Sequence, residues 1–269
     1  MDILLSSYLH DEKARTSIVE PNFQHRLALT QTWDIAQGSR VLDIGCGQGE
    51  SSLVLALING SHGQITAIDT APPDYGGPYT VEQSQKHIQA STLGQRIQFL
   101  RTDTAGLLSQ PTSTVKFDAA VLCHSLWYFP DRASIAQVFQ LLADAKVRYL
   151  CLAEYGFRAS RPAQVPHILA ARAQAQYHSL RKPPRQGRGS PTYAPRSLQK
   201  SCSTLRTKLA GERNAPATYN LTHSCGMAIG KWTMNFAIQE LEQSIQELGV
   251  EGSTRWETMD VFWAVLELK

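Results

Sequence analysis

Val41-Leu42-Asp43-Ile44-Gly45-Cys46-Gly47-Gln48-Gly49 is the stretch whose reading decides the fold. An apolar run of Val41, Leu42 and Ile44 ends in a glycine-rich turn, and a helical pattern follows from Ser51 to Leu57. Strand, tight turn and helix make the first half of a βαβ unit. Glycines serve such a turn because a backbone without Cβ can bend sharply and lie against a ligand. Their spacing selects the ligand. A dinucleotide fingerprint, G-x-G-x-x-G, would place its third glycine at position 50, which is Glu50. An acid, Asp43, precedes the first glycine by two residues. A carboxylate there is a poor neighbour for a pyrophosphate. It is a good partner, directly or through water, for a cationic amino group. The turn reads as a seat for a zwitterionic nucleoside rather than for NAD.

Outward from this turn, strand-like and helix-like runs alternate. Strands are expected over Arg40–Ile44, Gln64–Asp69, Ile97–Arg101, Phe117–Cys123 and Val147–Glu154, with a terminal strand over Val261–Leu268. Helices are expected near Pro21–Ile35, Ser51–Ile58, Val81–Ser91 and Ser134–Ala145, and Thr80-Val81-Glu82-Gln83 reads as a capping box. This alternation predicts an α/β fold: a doubly wound, mostly parallel, seven-stranded sheet with right-handed crossovers. Ligands collect in such sheets at the carboxyl ends of the strands, where strand order reverses. Four parts are expected: an N-terminal helical lid segment (1–36), the α/β core (37–157), a helical and basic loop insertion (158–232), and a C-terminal helix with the last strand (233–269). Within the insertion, Val165–Leu180 and Ser197–Leu209 read as helical, residues 182–191 as a mobile loop, and Thr233–Leu248 as an amphipathic helix.

Composition excludes several classes. No window is apolar enough to span a bilayer and no signal peptide is evident, so no membrane partner is expected. The five cysteines show no C-x-x-C pair or zinc spacing, which points to a reducing, cytoplasmic setting and to no metal. The net charge of +3 is unevenly spread. About a dozen Lys and Arg lie between Arg158 and Arg213, against the single acid Glu212. A solvated basic loop and a surface for an anionic substrate are both open readings. Nucleic acid is disfavoured, because the run lacks the interleaved aromatics of a stacking platform.

Each of the first four strands ends in a group with chemistry. Asp69 closes the second strand some two dozen positions past Gly45, near the spacing at which an acid meets ribose hydroxyls. Beyond the third strand, Thr102-Asp103-Thr104 offers a carboxylate suited to an adenine amino group. The fourth runs into Cys123-His124-Ser125-Leu126-Trp127-Tyr128-Phe129. Each has a plainer reading: Asp69 as a turn residue, Asp103 as a helix cap, His124 as a satisfied structural group. Their co-location at the ends of successive parallel strands favours a site.

The stretch resembles the class I S-adenosylmethionine (SAM)-dependent methyltransferases, over residues 40 to about 155. The likeness is to a small-molecule-type branch common in filamentous fungi and some bacteria. It implies that Asp43, Gly45, Cys46, Gly47 and Gly49 hold the methionine part of SAM and that Asp69 holds the ribose. It places Asp103 and Thr104 near the adenine, and makes Cys123–Phe129 the lining of the methyl-transfer cavity. His124 then lies beside the cofactor and is the candidate catalytic general base for an oxygen acceptor. Trp127, Tyr128 and Phe129 are the candidate acceptor wall, where aromatic faces would also attract the sulfonium. The absence of a [DN]-P-P-[YF] motif after the fourth strand disfavours the nucleic-acid amino-methylating enzymes. No Asp/Asn set of metal-ligand spacing follows the fifth, so no metal is expected. The implied activity is methyl transfer to oxygen, nitrogen or sulfur of a small molecule, with a place in secondary metabolism. Two alternatives stand beside it. One is a fold that binds SAM but serves as a non-methylating enzyme or an interaction partner. The other is a macromolecule methyltransferase docking through residues 158–213.

Overall fold

A computed structural model describes residues 1–109, 116–156, 158–165, 167–171 and 261–268. Its elements are α1 (Asp2–Ser7), α2 (Glu20–Trp33), β1 (Arg40–Ile44), α3 (Glu50–Ile58), β2 (Gln64–Asp69), α4 (Val81–Gln89) and β3 (Ile97–Arg101). They continue as α5 (Thr104–Leu108), β4 (Ala119–Cys123), α6 (Arg132–Asp144), β5 (Tyr149–Tyr155) and β6 (Val261–Glu267). The strands form one sheet in the order β3-β2-β1-β4-β5-β6. The first five are parallel, and β6 pairs antiparallel with β5. Among the described residues the sheet has six strands; the seventh expected one is not among them.

Alternation along the strands sorts their side chains into two cores, one on each face. Val41, Ile65, Val121 and Cys151 join Leu4, Phe23, Trp33, Leu53 and Ile88, so this face is covered by α1 to α4. The intervening residues Leu42, Ile44, Ile68, Leu122 and Leu150 join Val138 and Leu142 of α6. α4 starts at the expected capping box: the Thr80 hydroxyl accepts from the Gln83 N–H, and the Gln83 side chain accepts from the Thr80 N–H. At the far edge, Phe262, Trp263, Val265 and Leu266 of β6 are largely exposed.

Met1–Tyr155 and Val261–Lys269 make one compact unit, and Gly156–Asp260 makes another. In the second unit Pro162–Gln164 forms a 3₁₀ turn, and residues 165 and 167–171 are helical. The rest of the expected helix to residue 180, the loop 182–191, the later helices and nearly all of the basic run lie outside the described residues. No described helix is long and apolar enough to cross a membrane.

Candidate SAM site at the switch point of the sheet

Strand order reverses between β1 and β4, and the glycine turn and His124 sit on either side of that reversal. Backbone bonds pin the start of the turn: Gly45 N–H and Cys46 N–H both donate to the Ile68 carbonyl, at 2.8 and 3.1 Å. All three glycines adopt positive φ, but their surroundings differ. A Cβ on Gly45 would lie 2.6 Å from Cβ of Ser125, and one on Gly49 would lie 2.6 Å from Cδ1 of Ile88. These two glycines allow close packing. A Cβ on Gly47 would meet nothing within 4 Å. Gly47 therefore faces open space, and it alone of the three has room beside it for a ligand.

Asp43 is 1% exposed, and its Oδ2 accepts from the hydroxyls of Ser51 (2.8 Å) and Ser52 (2.6 Å). Its Oδ1 is buried without a hydrogen-bond partner. Burial is the main cause that pushes its carboxyl up to about 6, against the lowering influence of the two serines and Arg26. A buried acceptor with spare capacity, in an acid held near neutrality, suits a cationic partner brought by a ligand.

Asp69 ties the turn to β2. Its Oδ2 accepts from the Gly47 N–H and its Oδ1 from the Ala71 N–H, both at 2.7 Å. Both the turn role and the ribose role read from the sequence fit this geometry, since an ionised carboxylate retains lone pairs after two such bonds. Asp69→Ala is expected to weaken SAM binding by about 1.5–3 kcal/mol, the worth of bonds to a charged group. Calorimetry reads the change, and an unaltered affinity would leave Asp69 with its turn role alone.

Asp103 is exposed and caps α5, accepting from the Gly106 N–H at 2.6 Å, while Thr104 is buried. Of the aromatic run, Tyr128 is 50% exposed, and Phe129 packs against the α6-side core. The Trp127 side chain is outside the described set. Burial, reinforced by Asp43 and Asp69, holds the Cys46 thiol protonated, which argues against a nucleophilic cysteine in the turn.

His124 is 4% exposed and adopts a left-handed backbone, with φ +56°. Its N–H donates to the Ala153 carbonyl at 2.8 Å, so the bent backbone stays anchored to β5. Its Nε2 lies 2.8 Å from Nε2 of His25, its Nδ1 lies 3.6 Å from Oε1 of Glu154, and the Tyr155 ring lies 4.6 Å away between centroids. Sequence reading missed His25, because nothing in a helical pattern shows that α2 comes to rest against the end of β4.

The same reading missed how α2 grips the turn. Arg26 Nη2 donates to Oε2 of Glu50 at 2.6 Å, and the Tyr8 hydroxyl bonds Oε1 of Glu50 at 3.1 Å. Glu50 thus occupies the third-glycine position of a dinucleotide motif and clamps the N-terminal helices to the start of α3. Arg26 is buried and Glu50 is partly open, so Arg26→Ala is expected to cost about 2 kcal/mol, below the 3–5 of a fully buried pair. Chemical denaturation measures this, and a loss below about 0.5 kcal/mol would make the pair incidental.

Residues 41–145 match the family described as a methyltransferase domain. The chain is 40% identical over 220 residues to the methyltransferase phomM of Diaporthe leptostromiformis, covering 66% of this chain and 57% of phomM. The chain contains a class I methyltransferase domain. It spans just over half the length of phomM. A second relative, the O-methyltransferase rstn1 of Aspergillus nomiae, is 29% identical over 96 residues, 36% of this chain and 38% of that protein. Among solved structures, the cyclopropane-fatty-acyl-phospholipid synthase-like protein of Lactobacillus casei superposes with a TM-score of 0.72 at 25% identity, over 99% of this chain and 98% of that one. SAM is the cofactor of this class of domain. The methyltransferase domain fits it at the open face of Gly47, the unpartnered Oδ1 of Asp43 and the remaining lone pairs of Asp69.

Proposed function

We propose that this chain transfers the methyl group of SAM to a small-molecule acceptor in secondary metabolism, as an enzyme of the one-carbon transferase class. The observation that carries the proposal is the glycine turn at the switch point, open at Gly47 alone and flanked by a buried acid with an unpartnered oxygen. The names of the fungal relatives, a methyltransferase and an O-methyltransferase, support the same reading.

When bound, SAM supplies an electrophilic methyl on a sulfonium. The remaining work belongs to the chain. Asp43 and the open backbone at Gly47 orient the amino-acid end, with Gly45, Cys46 and Gly49 shaping the turn that presents it; Asp69 holds the ribose; Asp103 and Thr104 border the adenine. Tyr128, with Trp127 and Phe129 beside it in sequence, borders the acceptor. Alignment of acceptor and methyl supplies most of the acceleration, because fixing two reactants in line can replace several kcal/mol of lost freedom. A hydroxyl acceptor also has to lose a proton, and the imidazole cluster around His124 stands at the end of β4 to receive it.

Two described cysteines, Cys46 and Cys151, are buried and form no disulfide, which supports a reducing, cytoplasmic location. Incubation of the full chain with radiolabelled SAM and panels of phenols, amines, thiols and RNA tests the proposal. Label in any of the three small-molecule panels supports it. Label in RNA alone would favour docking through residues 158–213. SAM binding without transfer would favour a non-methylating role.

A further inference from the structure

Gly47 is the soft point of the glycine turn. Its neighbours in the motif are held by packing, Gly45 against Ser125 and Gly49 against Ile88 and Phe99, whereas nothing packs beside Gly47. The Gly49 N–H donates to the Cys46 carbonyl at 2.9 Å, which closes a β-turn with Gly47 and Gln48 at its centre. The central peptide of this turn joins Gly47 to Gln48. β-turn types differ in which way that peptide faces, and with a glycine on one side of it sterics alone hold it weakly.

Two side chains pin the two peptides that meet at Gly47. The peptide before it is pinned through its N–H, which donates to Oδ2 of Asp69 at 2.7 Å. The central peptide is pinned through its carbonyl, which accepts from Nε2 of Gln85 at 2.9 Å. The same Gln85 nitrogen lies 4.0 Å from Sγ of Cys46. The φ and ψ angles of Gly47 set how these two peptide planes lie relative to each other, so Asp69 on β2 and Gln85 on α4 together determine both. Helix geometry brings Gln85 there. It precedes Ile88 by three residues, so the two side chains share one face of α4. Ile88 packs against Gly49 while Gln85, one turn earlier, reaches Gly47. A further bond, from Gln48 Nε2 to the Tyr79 carbonyl at 2.6 Å, ties the turn to the chain just ahead of the helix.

We propose that Gln85 is a positioning residue of the SAM site: by holding the Gly47 carbonyl against α4, it keeps the central peptide of the glycine turn in the one orientation that receives the cofactor. This rests on the SAM reading above. The amino-acid end of the cofactor meets backbone at Gly47, which has open space beside it. Backbone that is already fixed costs nothing further when a ligand arrives, whereas backbone that wanders has to be ordered at binding. Gln85 acts through Gly47, as Asp69 does from the other side.

Two measurements on the full chain test this. The first is ¹⁵N relaxation of the backbone amides without ligand. In the wild type the Gly47 and Gln48 amides should be equally rigid, with order parameters of about 0.85. In Gln85→Leu the Gln48 amide, which belongs to the central peptide, should gain motion, either as a fall below about 0.6 or as microsecond-to-millisecond exchange. The Gly47 amide, still held by Asp69, should keep its value. A general loosening of the fold would not split adjacent amides in this way. The second is calorimetry with SAM. Gln85→Leu should weaken binding about 5–30-fold, the equivalent of ordering one residue's backbone. The melting temperature should fall by no more than about 4 °C, the effect of one hydrogen bond. Gln85→Glu keeps the length of the side chain and, ionised at pH 7.5, has no hydrogen to donate. It should show the same changes, and it decides the matter if the leucine variant does not fold. A Gln48 amide as rigid in the variants as in the wild type, or an unchanged SAM affinity, would overturn the proposal. If the wild type itself binds no SAM, the SAM reading falls and the proposal with it; variants that match a wild type that does bind overturn the proposal alone.

Discussion

Gly47→Val is expected to give a folded domain that has lost SAM binding by more than about 100-fold, whereas Gly49→Val is expected to compromise the fold itself. The two residues are neighbours in one motif, but what a side chain would meet differs. At Gly49 the new Cβ would come within 2.6 Å of Ile88 and 3.0 Å of Phe99, in a core that cannot give way cheaply. At Gly47 it would enter open space. The penalty there is a β-branched residue at φ +54°, about 1–3 kcal/mol of backbone strain that a core of this size can absorb. The branched side chain would, however, fill the space where a ligand must approach the backbone. Thermal melts and calorimetry with SAM on both variants give the answer. A Gly47→Val variant that binds normally would place the ligand elsewhere.

Asp43 carries the second large effect. Burial raises its carboxyl from 3.8 to about 6, so the folded state holds this proton more tightly than the unfolded chain does. Stability then falls as pH rises from about 4 to about 6, and the full penalty persists above that window. About two units correspond to roughly 3 kcal/mol. Asp43→Asn, which cannot ionise, should therefore raise the melting temperature of the ligand-free protein at pH 7.5 by several degrees. At pH 4 that gain should largely vanish. The same substitution should weaken SAM, because the amide offers no charge to an ammonium group. In the wild type, a cationic ligand favours the ionised carboxylate. SAM binding at pH 6 should thus release a fraction of a proton, visible as a dependence of the calorimetric heat on buffer ionisation enthalpy. If Asp43→Asn is less stable than wild type at pH 7.5, the unpartnered oxygen is already satisfied in solution.

The sheet was legible because parallel strands buried on both faces read as short apolar runs, and the β1, β2 and β3 boundaries came out as expected. So did the cap at Thr80, since capping is local chemistry. The glycine turn and the acid of β2 were legible for the same reason, each being a property of one turn. The direction of β6 was not, because alternation is the same in parallel and antiparallel strands. Asp103 satisfies the capping alternative, since one residue type serves both purposes in sequence. His25 and Arg26 were read only as part of a helix. Their meaning depends on which helix face lands beside the glycine turn, a tertiary fact that helical periodicity does not encode.

The antiparallel pairing of β6 with β5 has a consequence for how this protein is made. Tyr149 and Glu267 are partners across a gap of more than a hundred residues. A ribosome adding about 5–20 residues per second delivers the last strand some 5–20 s after the fifth. During that interval β5, whose side chains end up buried on both faces, lacks its β6 partner at the border of the five described parallel strands. Yield from a heterologous host should therefore depend on chaperone supply and on lowered growth temperature more than on the stability of the finished molecule. A strand-shaped segment of another nascent chain is the natural competitor for that edge.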